Sequence, residues 1–221
     1  MSRQACLIVL SSAIEGVNIQ SFMQAFSLLN TSFNIDLASP NGRLGEFIGF
    51  SEEAHKWLAD FKTKPQATPI MLKSISVDKY SALVIPDAPG AHFDLAHDEH
   101  MAEILHDFMR EKKLICAISN GVSGLFPAKK NNTWIFNSYS MTCTPLVDLV
   151  RASLVQDTRL TMPQDFIVFN GGSYAPSSSS STTKDSSRKL HVVIDNNLIT
   201  AATVQSTLIA IQNVILLSNP Q

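Results

Sequence analysis

Charged side chains are scarce in this sequence. Only 17 Lys or Arg and 19 Asp or Glu occur among 221 residues, or 16%, where soluble domains average about 25%. The formal net charge of −2 gives no broad attraction to phosphate backbones or anionic lipid, which excludes nucleic-acid binding through a basic face. The apolar content of 45% is ordinary, so we expect one globular domain over residues 1–221.

Cysteine is also rare, and long hydrophobic runs are missing. The three cysteines have no CxxC or Cys/His ligand spacing, so the sequence predicts neither disulfides nor a zinc site but free thiols at Cys6, Cys116 and Cys143. No apolar run reaches the roughly 20 residues that cross a bilayer, and the apolar segment near the start is too short for a signal-peptide core. We therefore expect a cytoplasmic protein without a signal peptide, cofactor, metal or direct membrane insertion.

Short apolar runs alternate with amphipathic segments along the chain. This pattern predicts an α/β sandwich with a mainly parallel sheet, whose functional sites lie at the carboxyl ends of the strands. Strands are predicted over residues 6–10, 34–38, 82–85, 114–118, 133–136, 166–169 and 191–194. Helices are predicted over residues 17–29, 51–61, 98–110, 122–126, 145–154 and 204–217, with an insertion over 43–76.

A Ser/Thr-rich segment interrupts this alternation. Nine of the eleven residues from 177 to 187 are Ser or Thr, and Gly171-Gly172 precede them. We expect a solvated surface loop over residues 171–189 within the domain. Two interpretations stay open, an inert loop, which we favour, and a phosphate acceptor.

The strongest chemical motif is Ala117-Ile118-Ser119-Asn120-Gly121. It follows a predicted buried strand and precedes a short helix, which is the position of a nucleophile elbow. A serine hydroxyl needs a hydrogen-bonded base, usually His, and Asn120 cannot serve as one.

Other candidate groups are less specific. His97 and His100 form a conceivable metal patch, but a solvated helix face is the better interpretation, and His191 is expected to be structural. Glu15 follows the first strand and can act as an acid or base, or cap the helix over 17–29, which we favour. Asp87 ends the third strand and adds an acid at the same edge.

Four segments along almost the whole chain resemble the class I glutamine amidotransferase-like, or DJ/PfpI, superfamily. They are ACLIVL followed by Glu15, then LVIPDAPGA, LICAISNGVSGL and HVVIDNNLITA. The resemblance implies a flavodoxin-like three-layer sandwich, and the superfamily often forms homo-oligomers, here a dimer or a tetramer.

The resemblance also implies a reactive cysteine with an adjacent His, an acid after the first strand, and glycine-rich backbone after the third. This chain departs at each position. It has Ser119 for the cysteine, Asn120 for the His, Asn18 for the acid with only Glu15 nearby, and Asp87-Ala88 for Gly-Gly in the oxyanion loop. Because a serine hydroxyl without a base stays protonated at neutral pH, we expect these vestigial residues to support no nucleophilic catalysis.

A vertebrate branch of the superfamily matches more closely, in CLIVLSSAIEGVNIQSF, WIFNSYSMT and HVVIDNNLIT. This resemblance implies a subunit of the FERRY complex, a Rab effector that links messenger RNA and ribosomes to early endosomes. Its implied partners are a second copy of the chain and the other FERRY subunits, with no direct contact to nucleic acid.

Three functional hypotheses follow. The preferred one is a non-catalytic assembly subunit. The second is a serine hydrolase or aldehyde-processing enzyme, with Ser119 as nucleophile and Glu15 or a distant His as base. The third is a regulatory small-molecule pocket without turnover.

Overall fold

A computed structural model describes residues 3–152, 154, 160–177 and 190–218. Its strands are β1 (Ala5–Val9), β2 (Val17–Asn18), β3 (Asn34–Ser39), β4 (Phe47–Ile48), β5 (Ile70–Met71), β6 (Tyr80–Ile85), β7 (Leu114–Ile118), β8 (Lys129–Lys130), β9 (Thr133–Trp134), β10 (Ser140–Met141), β11 (Ser173–Tyr174), β12 (Val192–Asp195) and β13 (Leu198–Ala201). The helices are α1 (Ile19–Leu29), α2 (Glu52–Phe61), α3 (Glu99–Arg110), α4 (Leu146–Arg151), α5 (Pro163–Phe169) and α6 (Thr207–Ser218).

Seven of these strands form one sheet in the order β12-β13-β7-β6-β1-β3-β5. Every neighbouring pair in it is parallel except β12 with β13. The predicted flavodoxin-like α/β fold with a mainly parallel sheet is confirmed. Because β6 and β7 are parallel neighbours, with Ile85 opposite Ala117, their carboxyl ends meet at one edge.

The central strands are buried on both faces. Residues Leu7 to Val9 of β1, Leu83 to Ile85 of β6 and Ile115 to Ile118 of β7 are all 0% exposed. Strands that helices cover on both sides read as continuous apolar runs rather than as alternating patterns. For this reason, the apolar runs in the sequence predict the positions of these strands well.

Side-chain caps fix where three helices begin. The Ser51 hydroxyl accepts from the Ala54 N–H before α2, and the Asp98 carboxylate accepts from the Met101 N–H before α3. The Asn18 side chain caps α1, which begins at Ile19, two residues later than predicted. Each cap accepts an N–H that the helix itself leaves unpaired. Among the described residues, none of the helices has the length and apolar character needed to span a bilayer.

One predicted element is wrong. Residues 166–169 were expected to form a strand but lie in α5, which begins at Pro163. Proline suits the first turn of a helix, and the burial of Ile167 beside the exposed Val168 and Phe169 fits one apolar stripe on a surface helix.

Several other predictions change in extent. The strand expected over 133–136 is only the short β9, which pairs with β8, and the helix expected over 145–154 is α4. The insertion over 43–76 contributes α2 and the edge strand β5. Of the Ser/Thr-rich loop expected over 171–189, residues 178–189 lie outside the described part of the chain, and Ser173 and Tyr174 pair with β10.

Candidate functional site

Ser119 lies directly after β7, at the first position of a 3₁₀ helix, Ser119–Leu125. Its φ of +54° is in the left-handed region, which is strained for a residue other than glycine. The next turn packs tightly, since a Cβ on Gly121 would lie 2.4 Å from the Pro86 carbonyl oxygen. The structure therefore has the strand-turn-helix geometry of a nucleophile elbow, as the sequence predicts.

Asp87 meets this elbow from the end of β6. Its Oδ1 accepts hydrogen bonds from the Asn120 backbone N–H at 3.0 Å and from Asn120 Nδ2 at 2.8 Å, and the nearby Ser119 hydroxyl helps to lower the pKa of this carboxyl group. Burial raises the pKa of Asp87 above its ordinary value, and these hydrogen bonds oppose that shift. Ser119, Asn120 and Asp87 thus form one buried cluster.

A histidine that the sequence analysis did not single out joins the cluster. His92 Nε2 lies 3.0 Å from Asn120 Oδ1, and its Nδ1 lies 2.8 Å from the Ser123 hydroxyl. Burial lowers the pKa of His92, so the neutral ring donates from Nε2 to the amide oxygen and accepts at Nδ1. Both nitrogens are engaged away from Ser119.

The other vestigial positions lie outside the cleft that borders Ser119. Asn18 caps α1 through its side chain, and its backbone N–H donates to the Asp87 carbonyl oxygen at 2.8 Å. The favoured role of Glu15 as this cap is therefore wrong, since α1 begins late enough for Asn18 to reach the free N–H groups. Glu15 is half-buried in the loop after β1 and Ala88 is fully buried. None of these three lines the cleft that borders Ser119.

Two backbone N–H groups at the elbow are already occupied. The N–H that follows the nucleophile is a standard donor of an oxyanion hole, and here that N–H, of Asn120, donates to the Asp87 carboxyl group. The Asp87 N–H donates to the Ser21 hydroxyl at 3.1 Å. A buried carboxyl group therefore stands where the anionic oxygen of an intermediate would have to bind.

The remaining candidate groups have local roles. The three cysteines are free and buried, and burial raises the pKa of each thiol. His100 pairs with Glu103 on α3, and His191 Nε2 contacts the Ala175 carbonyl oxygen. In the described ranges, no three His, Cys, Asp or Glu side chains come together as a metal site.

A cleft of about 1020 Å³ opens above the cluster. Ser119, Asn120 and Asp87 lie at its base, and α4 supplies Asp148 and Arg151. This volume is at the upper end of small-molecule sites. The carboxyl edge of the sheet therefore combines an elbow serine, a buried acid and a large cleft, with no histidine directed at the hydroxyl among the hydrogen bonds described.

Comparisons with known proteins identify the family to which this fold belongs. The model of the DJ-1/PfpI family matches residues 4–216. Glutamine amidotransferase-like class 1 domain-containing protein 1 of Danio rerio is 43% identical, covering 99% of this chain and 98% of that protein. Its human counterpart is 38% identical, covering 98% of this chain and 94% of its own.

A solved structure shows the same fold. Rapid Encystment Protein 24 KDa of Francisella tularensis superposes with a TM-score of 0.83 at 19% identity, covering 98% of this chain and all of that one. With a family model that matches nearly the whole sequence and full-length relatives at this identity, the chain belongs to the DJ-1/PfpI family.

Proposed function

We propose that this chain is a non-catalytic assembly subunit of a complex similar to FERRY, the Rab effector that links messenger RNA and ribosomes to early endosomes. In this role it is cytoplasmic and reaches the endosome through its complex. One observation carries the proposal, the Asp87 carboxyl group that accepts the Asn120 N–H.

This hydrogen bond opposes acyl transfer at Ser119. Attack by the hydroxyl creates an oxyanion that needs preorganised donors, and losing one such donor costs about 10²–10³ in kcat. Here the donor is engaged and a carboxyl group lies beside it, so an intermediate would meet repulsion as well as a missing hydrogen bond whenever Asp87 is ionised.

The nucleophile is also unassisted. The described hydrogen bonds of His92 go to Asn120 and Ser123, so no imidazole is placed to take the Ser119 proton. General-base catalysis is worth about 10²–10⁴ in rate. Cys116 does not replace Ser119, because it is fully buried within β7.

The surface supports the assembly part of the proposal. Helices α1 and α6 pack side by side, with the Ser21 and Thr207 hydroxyls 3.0 Å apart. The sequence has no Asp, Glu, Lys, Arg or His between Glu15 and Asp36, or after Asp195. On α6, the side chains exposed to solvent include Leu208, Leu216 and Leu217.

A second copy of the chain suits this surface best. In a two-fold dimer, residues near the axis face their own copies, so any charge there would meet a like charge. An uncharged surface avoids that repulsion, whereas a different partner could offer complementary charges. We therefore assign the α1/α6 surface, defined by the outward side chains of these two helices, to self-association.

Two measurements test the proposal. We expect a fluorophosphonate probe to leave Ser119 unlabelled, as in Ser119→Ala, and the purified chain to turn over neither ester substrates nor methylglyoxal. Labelling that disappears in Ser119→Ala would overturn the non-catalytic assignment.

For assembly, we expect a dimer or tetramer by light scattering and recovery of the other FERRY subunits on pull-down. Leu216→Lys should reduce the oligomer mass, whereas Phe169→Lys, at an exposed site on α5, should not. A monomeric parent that recovers no subunit would contradict the assembly role.

A serine hydrolase or aldehyde-processing enzyme is the second candidate. It is favoured by the left-handed φ of Ser119 at the base of a large cleft and by the buried Asp87 carboxyl group beside Ser119. In that case Asp87 would be the base, and Asp87→Asn would abolish labelling of Ser119 by the probe.

A further inference from the structure

The base of the cleft displays hydrogen-bond acceptors. Ser119 and Asp87 both line this cleft, and the Ser119 hydroxyl lies close enough to the Asp87 carboxyl group to lower its pKa. Because Asp87 Oδ1 already accepts two hydrogen bonds from Asn120, Asp87 Oδ2 and Ser119 Oγ are the acceptors left for a ligand. The backbone N–H of Asn120, which would serve as a donor in an enzyme of this geometry, points to Asp87 Oδ1.

A second carboxylate lines the same cleft. Asp148 on α4 contributes, after burial, to raising the pKa of Asp87. Its own partner is Arg151, at 3.3 Å, in an ion pair exposed to solvent and therefore weak. Together the two acids and one arginine leave one net negative charge around the cleft when both acids are ionised.

The walls above these acids are mixed and include several exposed apolar side chains. Leu146 and Val147 of α4 and Val168 of α5 line the cleft and are each more than half exposed in the chain alone. Tyr174 adds an aromatic ring, and aromatic faces attract cations. An apolar body with a positively charged donor at one end would satisfy both the walls and the base.

We propose that this cleft binds a small organic cation, a primary ammonium or guanidinium group on an apolar body, with the cationic N–H groups donating to Asp87 and Ser119. The inference rests on the proposed loss of catalysis, since a catalytic site would keep its N–H donors free for a carbonyl or an oxyanion. The side chain at position 87 thereby reverses the polarity of the site from donor to acceptor.

The test compares three probes that share a six-carbon chain, hexylammonium, hexanamide and hexanoate, by calorimetry and thermal shift. Charge-assisted hydrogen bonds are worth about 1.5–3 kcal/mol, so hexylammonium should bind about tenfold or more tighter than hexanoate. Equal affinities, or no binding of hexylammonium at millimolar concentration, would overturn the inference.

Variants locate the binding. Asp87→Asn keeps an acceptor for Asn120 and so keeps the local fold, but it should weaken hexylammonium binding about tenfold. Ser119→Ala removes one acceptor and should weaken it less. Glu103→Gln, on the exposed side of α3, is the matched control and should leave binding unchanged. Undiminished binding to Asp87→Asn would contradict the assignment even if hexylammonium binds.

The cation can come from a free amine or from a lysine side chain. Nα-acetyl-lysine methylamide separates the two sources, because its backbone must stay outside the cleft. Tighter binding of hexylammonium supports a free small molecule, and the opposite order overturns that part of the proposal. Probe labelling of Ser119 would overturn the loss of catalysis separately, whereas missing amine binding without labelling would overturn only this inference.

Discussion

Asp87 should stabilise the elbow because it accepts two donors of Asn120, and the pair Asp87→Ala and Asp87→Asn measures this effect. Asparagine keeps an oxygen where Oδ1 accepts from the Asn120 backbone N–H and Nδ2. Alanine leaves both donors without a protein partner. Both variants remove the buried carboxylate, so the cost of burying its charge cancels in the comparison.

The magnitude follows from those two donors. A buried donor that loses its acceptor costs about 1–3 kcal/mol, and water from the adjoining cleft can replace part of the lost bonding. We therefore expect the lower end, with Asp87→Ala about 2 kcal/mol less stable than Asp87→Asn. At about 2–4 °C per kcal/mol for a chain of this size, the Tm of Asp87→Ala should lie about 4–8 °C lower.

Urea unfolding followed by the fluorescence of Trp57 and Trp134 gives the free energy of unfolding of each variant. Trp134 is buried, and its Nε1 donates to the carbonyl oxygen of Leu125, the last residue of the 3₁₀ helix that begins at Ser119. Its emission should therefore report on the unfolding of the elbow. If the two variants unfold with free energies within about 0.5 kcal/mol of each other, the reasoning is refuted, because Asp87 would not be the acceptor that holds Asn120.

Three further outcomes are expected. Gly121→Ala should cost about 1–3 kcal/mol by urea titration, because its Cβ would meet a rigid backbone oxygen at 2.4 Å, whereas Gly124→Ala meets a flexible side-chain atom at 3.0 Å and should cost less. Burial raises the pKa of Asp87, so the folded chain binds a proton there more tightly than the unfolded chain, and stability falls as pH rises from the ordinary carboxyl pKa through the raised value. Over that pH interval, the Tm of Asp87→Asn should rise relative to the Tm of the parent. A Tm difference between the two proteins that does not change with pH would contradict the shift. Burial and the raised thiol pKa values should keep a disulfide reagent from reacting at about pH 8 until the chain unfolds, when three equivalents should react, from Cys6, Cys116 and Cys143.

The central strands could be predicted because they are buried on both faces and therefore consist of contiguous apolar residues. The four apolar residues FIVF of α5 show where this rule fails, since a short run fits a buried strand and a helix equally well. Pro163, three residues earlier, was the available signal for a helix start, and only the burial of Ile167 beside exposed neighbours reveals the helical stripe.

The part of the site that lies at the ends of neighbouring strands could be predicted from the sequence. Ser119 and Asp87 each end a strand, and parallel neighbours bring such ends together. His92 was missed because its contacts to Asn120 and Ser123 span 28 and 31 residues through a 3₁₀ helix, Pro89–His92, that no periodic pattern marks. No spacing rule in the sequence specifies that Asn120 would separate this histidine from Ser119.

The shortage of charge in the sequence is unevenly distributed in the fold, and that distribution links the site to the proposed assembly. Helices α2 and α3 carry acids and bases on their exposed sides, including the pairs Lys56 with Glu52 and Arg110 with Asp107, whereas α1 and α6 carry none. A solvated helix gains from such charges, whereas α6 exposes Leu208, Leu216 and Leu217 to solvent. Since Asn18, which caps α1, donates its N–H to the Asp87 backbone, a partner bound on α1 and α6 would lie against the helix that follows this contact. In the proposed oligomer, ligand binding at Asp87 should therefore change the dissociation constant of the subunits. Titrating hexylammonium against the parent chain and against Leu216→Lys would measure that coupling.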